Sequence, residues 1–96
     1  MDYKVILSRP ALRDLGEIAR YIAQDNLTAA ERVGEGLLDI AASLKTLPYR
    51  GGVLHSRPNT RRLVQDPYLI LYRIDEERRV VFVQRFWHAK RDLGKA

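Results

Sequence analysis

His88 stands at the end of an apolar segment, directly after Trp87, with Lys90 and Arg91 just beyond it. An unperturbed imidazole titrates near ~6.5, which suits it to proton transfer at neutral pH. Cleaving a phosphodiester in this way also needs cations to neutralise a phosphorane-like transition state. Arg91, Lys90, Arg61 and Arg62 supply that charge if the fold makes them converge. One imidazole alone does not make a nuclease, and the alternative for His88 is a hydrogen bond to backbone or a docking contact for the C-terminal tail. The same side chains suit recognition without covalent chemistry, because Arg forks onto phosphates and carboxylates and Trp and Arg dominate binding hot spots. Phe86 and Trp87 are neighbours and so point to opposite faces of a strand. One belongs to a covered core; the other is either an exposed anchor or a partly buried packing residue. Arg61 and Arg62 alternate in the same way, as a target-facing cation or as a solvated strand end. Tyr68 and Tyr72 read as sheet packing, with hydroxyls able to line a cleft. His55 lies in a glycine-containing loop with no partner visible in the sequence and reads as incidental.

The charge is concentrated where these residues lie. Residues 1–56 carry seven basic and seven acidic side chains, whereas residues 57–96 carry ten basic and five acidic, so the whole surplus of +5 is C-terminal. Thirteen of the seventeen basic residues are Arg. This pattern suits an anionic partner, nucleic acid or an acidic protein segment, or else a solvated basic face. With 46% hydrophobic and 30% charged residues, the composition is that of a folded protein rather than a disordered or fibrous one. Ninety-six residues provide apolar material for one core, so a single domain over 1–96 is expected. No apolar run approaches the ~20 residues that span a bilayer, and the start lacks a signal-peptide pattern, so a cytoplasmic protein with no membrane partner is expected. There is no Cys, and two isolated His residues do not form a metal site; no cofactor is expected.

The elements that must position these residues follow from periodicity. Tyr3 to Leu7 reads as a strand, and Ser8 can cap a helix whose first turn accommodates Pro10. Leu15, Ile18, Ala19 and Ile22 recur at helical spacing over about residues 10–25, with Asp14 and Glu17 near the positive end of the helix dipole. Thr28 and Glu31 have capping-box spacing and open a second segment through Ala30, Val33, Leu37, Ile40, Leu44 and Leu47, stopped by Pro48. The short link makes an antiparallel helical hairpin. Gly34 and Gly36 weaken the second helix by roughly ~1 kcal/mol each relative to Ala, which either admits a close backbone or is tolerated weakness. Residues 48–60 form one sizeable loop containing His55 and Arg57. The period then changes to two: a strand at Leu63 and Val64, another from Tyr68 to Ile74, a turn at Asp75 to Arg78, and a third strand from Val80 to Trp87. Tyr68, Ile70, Tyr72 and Ile74 share one face of the middle strand; Leu69, Leu71 and Arg73 share the other. The expected fold is α+β, in the order β-α-α-β-β-β, with an antiparallel sheet covered on one face by the helical hairpin and concave and half-exposed on the other.

Ala11 to Ala23, Asn26 to Ala30, Arg61 to Val64, Tyr68 to Ile74 and Val83 to Asp92 resemble, in order and over nearly the whole chain, the RelE/ParE toxin superfamily. The resemblance implies the toxic half of a bacterial type II toxin–antitoxin pair, neutralised by a small ParD-like antitoxin in a heterodimer or heterotetramer. RelE-like members are ribosome-dependent mRNA endonucleases, often with an Arg directly after the position matching Tyr68 to hold the scissile phosphate; here that residue is Leu69. They also tend to carry a basic group at the end of the last strand and a Tyr or Arg beyond it. This chain has His88, then Ala89, and no Tyr after Tyr72. ParE-like members, which poison DNA gyrase, are similar to this chain in an apolar residue at Leu69 and in a strand end that runs into a His and a basic residue.

The resemblance therefore implies a gyrase inhibitor that performs no covalent chemistry. Its expected target-binding residues are Arg61, Arg62, Arg85, Trp87, His88, Lys90 and Arg91. The expected antitoxin-binding residues are Leu12, Ile18, Ile22, Val33, Leu37, Tyr72 and Arg73, some of them completing their burial only under the antitoxin. One alternative is a metal-independent endoribonuclease acting on ribosome-bound mRNA, with His88 as acid or base and Arg61, Arg62 and Arg91 stabilising phosphate charge. Another is a degenerate toxin retained as a binding module.

Overall fold

The computed structural model describes residues 2–90. Strand β1 (Lys4–Leu7) feeds helix α1 (Arg9–Ala23), and α2 (Leu27–Ala42) is followed by a 3-10 turn at Ser43–Lys45. Strands β2 (Gly52–Val53), β3 (Arg61–Gln65), β4 (Tyr68–Asp75) and β5 (Val80–His88) complete a five-stranded sheet in the order β1-β5-β4-β3-β2. The α+β architecture and the antiparallel run β3-β4-β5 agree with the periodicities. Two features differ. β1 joins β5 in parallel, so the sheet is mixed, and Gly52–Val53 add a short edge strand from within the expected loop. Neither strand direction nor a two-residue ladder leaves a trace in hydropathy, because both are decided by what the strand meets in space.

Local signals explain the helices. The Ser8 hydroxyl accepts a hydrogen bond from Ala11 N at 3.2 Å, and Pro10 occupies the first turn, where a missing N–H costs nothing. At α2 the cap is Asn26, not Thr28: its Oδ1 accepts from Ala29 N at 2.9 Å and the helix begins at Leu27. Asn is the stronger cap of the two and lies directly before the first helical residue. The α-helix ends at Ala42, ahead of Pro48, because the last turn tightens to 3-10.

The main core lies between the hairpin and one face of the sheet, where Ala11, Leu37, Ala41 and Leu44 meet Leu63, Ile70, Tyr72, Val81, Val83 and Phe86. Tyr72 is fully buried and doubly bonded: its hydroxyl donates to Pro48 O at 2.8 Å and accepts from Gly51 N at 2.9 Å. Gly51 must be Gly, since a Cβ there would come within 2.7 Å of both Arg62 O and the Tyr72 hydroxyl. Tyr3 joins this core, and its hydroxyl donates to Glu76 Oε1 at 2.7 Å; that bond raises its pKa above the ordinary phenol value.

Candidate functional site

On the sheet face away from the helices, period-two alternation brings Arg62 and Val64 of β3, Leu69, Leu71 and Arg73 of β4, and Phe82, Arg85 and Trp87 of β5 together. Leu69, Leu71 and Trp87 form a second small cluster, with Leu54 and Ala89 packed against it. The loop after β2 folds back to make this roof: Leu54 N donates to Thr60 O at 2.9 Å and Arg57 N to Leu54 O at 3.1 Å. The expected open concavity is therefore partly filled. Trp87, at 8% exposure, is a packing residue rather than a bare anchor. Its ring is the centre of the charged surface, because the Arg57 guanidinium lies 5.3 Å from the ring centroid and that of Arg85 lies 5.5 Å away. Arg73 stacks 4.3 Å over Phe82, and Arg62 is exposed beside them. The result is an apolar floor rimmed by four guanidiniums.

Arg85 is fixed by a forked ion pair. Its Nε donates to Asp14 Oδ2 at 2.7 Å and its Nη2 to Asp14 Oδ1 at 2.9 Å. The backbone N–H of Phe86 also donates to Asp14 Oδ2, at 3.0 Å. The pair sits where β1 has ended and the edge of β5 would otherwise be bare. There Ser8 N donates to Val83 O at 3.0 Å and the Ser8 hydroxyl to Gln84 O at 2.9 Å.

His88 lies elsewhere. It pairs with Tyr68 across the ladder, its ring meets the Tyr68 ring edge-on at 5.4 Å, and its Nδ1 accepts from Lys90 N at 3.2 Å. Tyr68 packs on the main core, so His88 is on the helix-covered side, opposite Arg62 and Arg85. Arg61 is also turned away: its Nε donates to Gly51 O at 3.0 Å and its guanidinium lies 5.1 Å from the Tyr49 ring centroid. Arg61 faces Tyr72 in the ladder while His88 faces Tyr68, four residues along β4, or roughly 13 Å at strand rise. The fold thus brings Arg62, Arg85 and Trp87 together and separates His88 and Arg61 from them. Lys90 is exposed beyond the strand end, and Arg91 lies outside the described residues. Among the described residues no group of three His, Asp or Glu is placed to hold a metal ion, and no helix is long and apolar enough to cross a membrane.

A second surface lies along the hairpin. Leu12, Leu15, Gly16, Ala19, Ala23, Leu27, Ala30 and Gly34 line an open apolar groove of about 500 Å³, with Arg20 and Glu31 at its margins. Leu12 and Leu27 are 53% and 66% exposed. A Cβ on Gly34 or Gly36 would meet nothing within 4 Å, so neither glycine serves a close approach within this chain. Of the residues expected to meet a partner, Leu12 lies in the groove and Ile22 is half-buried, while Ile18 and Val33 pack partly against the core. Leu37 and Tyr72 are fully buried and offer a partner no surface, Leu37 because the apolar stripe of α2 faces the sheet and Tyr72 because its face of β4 lies under the hairpin. Arg73 belongs to the opposite, charged face.

Asp14 and Arg57 belong to the candidate site but are not among the residues the sequence pattern singles out. Asp14 had a signal: it interrupts the stripe Ala11, Leu15, Ile18 at helical spacing, and a carboxylate inside an apolar stripe needs a cation. For Arg57 the only signal was a cation in the glycine-containing loop.

A profile of the ParE toxin of type II toxin–antitoxin systems, parDE, matches residues 5–93. The chain belongs to this toxin family. Among solved structures, it is similar to the RelBE toxin–antitoxin complex of Mycobacterium tuberculosis, at 27% identity and a TM-score of 0.73, over 92% of this chain and 99% of that one. It shares its fold with a chromosomal ParDE system of P. aeruginosa, at 17% identity and a TM-score of 0.76, covering 90% and 95%. The isolated E. coli RelE toxin has the fold too, at 20% identity and a TM-score of 0.60, covering 93% and 86%. A comparison with curated proteins finds no match.

Proposed function

We propose that this ParE-family toxin acts in the cytosol by binding and inhibiting DNA gyrase, without covalent chemistry, and that a ParD-like antitoxin holds it inactive. The observation that carries the reading is the separation of the would-be nuclease groups. His88 is on one face of the sheet and the Arg62, Arg73, Arg85 cluster is on the other, while Leu69 and Leu71 form an apolar floor where a phosphate-gripping cation would be needed. Guanidiniums held around a roofed apolar cluster suit a protein surface that carries acidic groups. Arg57, Arg62 and Arg85 carry that contact, with the Trp87 ring seating two of them, and Lys90 adds charge beyond the strand end. The hairpin groove, lined by Leu12, Ala19, Leu27 and Gly34, suits the apolar face of an antitoxin helix. The M. tuberculosis relative named above is a toxin–antitoxin complex, which supports such a partner.

The test is pulse labelling of DNA and protein synthesis after induction without antitoxin, in hosts with ordinary and resistant gyrase. DNA synthesis should stop first, and resistant gyrase should rescue growth. Early arrest of protein synthesis in both hosts, with cleaved mRNA, would replace this reading with the endoribonuclease.

A further inference from the structure

The forked pair between α1 and β5 has more invested in it than an edge cap requires. Ser8 already satisfies Val83 O and Gln84 O at the bare edge, and a neutral acceptor at residue 14 would suffice for Phe86 N. Instead a carboxylate stands there, 9% exposed at its side chain, and holds both an Nε and an Nη of Arg85, whose side chain stays 39% exposed. The β-ladder is also distorted at this point. Leu71 faces Arg85 but Tyr72 faces Val83, so Gln84 is an extra residue in β5, and its Oε1 is buried with no hydrogen-bond partner among the described residues. Bulges re-aim side chains next to functional sites, and an orphaned buried acceptor is a cost that calls for a return.

The return is the placement of Arg85. Two guanidiniums, from Arg57 and Arg85, share the single Trp87 ring, and two like charges over one indole repel unless one is compensated. Asp14 compensates Arg85 from the edge of the sheet, without itself lying on the charged face. We infer that Asp14 is a positioning residue for target recognition: through its fork it locks Arg85 beside Trp87, so that the Arg85–Trp87–Arg57 array is preformed before the target arrives. Preformed side chains bind more tightly because their ordering is not charged to the encounter. The inference rests on the reading that the charged face meets the target.

The experiment is a double-mutant cycle in the full chain, with wild type, Asp14→Asn, Arg85→Gln and the double variant. Three readouts are taken: growth arrest per amount of folded toxin, inhibition of gyrase supercoiling, and the thermal midpoint. Each single variant should weaken growth arrest about tenfold, and the double variant should be no weaker than either single one, because both remove the same coupling. Multiplying losses in the double variant, or full potency of Asp14→Asn, would overturn the inference. Where Asp14→Asn fails to fold, Arg85→Lys decides: it keeps the charge and loses the fork, so it should behave as Arg85→Gln, and full potency would overturn the inference. A cycle that holds for growth arrest while supercoiling is untouched leaves the positioning role standing and removes the gyrase target. Supercoiling inhibited equally by all four proteins does the reverse, and a wild-type chain that arrests nothing removes both.

Discussion

On the helix-covered face of the sheet, Ile70, Tyr72, Val81, Val83 and Phe86 are sealed beneath two helices. On the other face, Leu69, Leu71 and Trp87 are roofed by a loop whose own contributions are Leu54 and the Arg57 guanidinium. Both sets are almost fully buried, yet they are built from different material. The first is apolar side chains on rigid elements with a tyrosine hydroxyl tied to two backbone groups; the second is an apolar floor whose lid and rim are cationic. The difference sets a sealed apolar side against a charged one on the same strands. Trp87 and Phe86 are adjacent in sequence, but one lies beneath the charged face and the other in the main core.

The sharpest way to break this comparison is to exchange the expected effects. Phe86→Ala should cost about 3–5 kcal/mol of folding stability by denaturant titration, a large share of what a domain of this size has. Tyr72→Phe, which leaves Pro48 O and Gly51 N–H buried and unpaired, should cost about 2 kcal/mol. On the other face, Arg57→Ala should change stability by less than about 0.5 kcal/mol and yet weaken toxicity about tenfold in a titrated-expression growth assay. If Arg57→Ala instead lowers stability like Tyr72→Phe and spares toxicity, the two faces are alike and the division fails.

Two smaller effects sharpen it further. Gly34→Ala fills open space and should raise stability by about 0.5–1 kcal/mol, while weakening antitoxin binding measured by calorimetry. His88→Ala, on the helix-covered side, should leave toxicity within about twofold of wild type. Loss of toxicity in that variant, with stability unchanged, would return His88 to the site, as a target contact or as an acid–base group.

Much of this division was legible in the chain. The alternation from Tyr68 to Ile74 assigns each residue to its observed face, and the apolar Leu69 is visible by inspection. What remained hidden was information held in partners distant along the chain. Asp14 is 71 residues from Arg85, so its place in the stripe showed that a partner was needed without saying which. The roof over Trp87 depends on a loop with no periodicity. The direction of β1 is set only when it meets β5. Thr28 and Asn26 both had cap chemistry, and the stronger acceptor nearer the helix start prevailed.

The parallel pairing of β1 with β5 also orders events in time. Lys4–Leu7 have no ladder partner until Val80–His88 exist, and β5 lies between β1 and β4, so the last strand made is an interior one. A growing chain can form its helical hairpin early from local contacts, but the sheet, the Asp14–Arg85 fork and the array on Trp87 all wait for that strand to leave the ribosome. A nascent chain that lacks β5 therefore cannot present the Arg57–Trp87–Arg85 array.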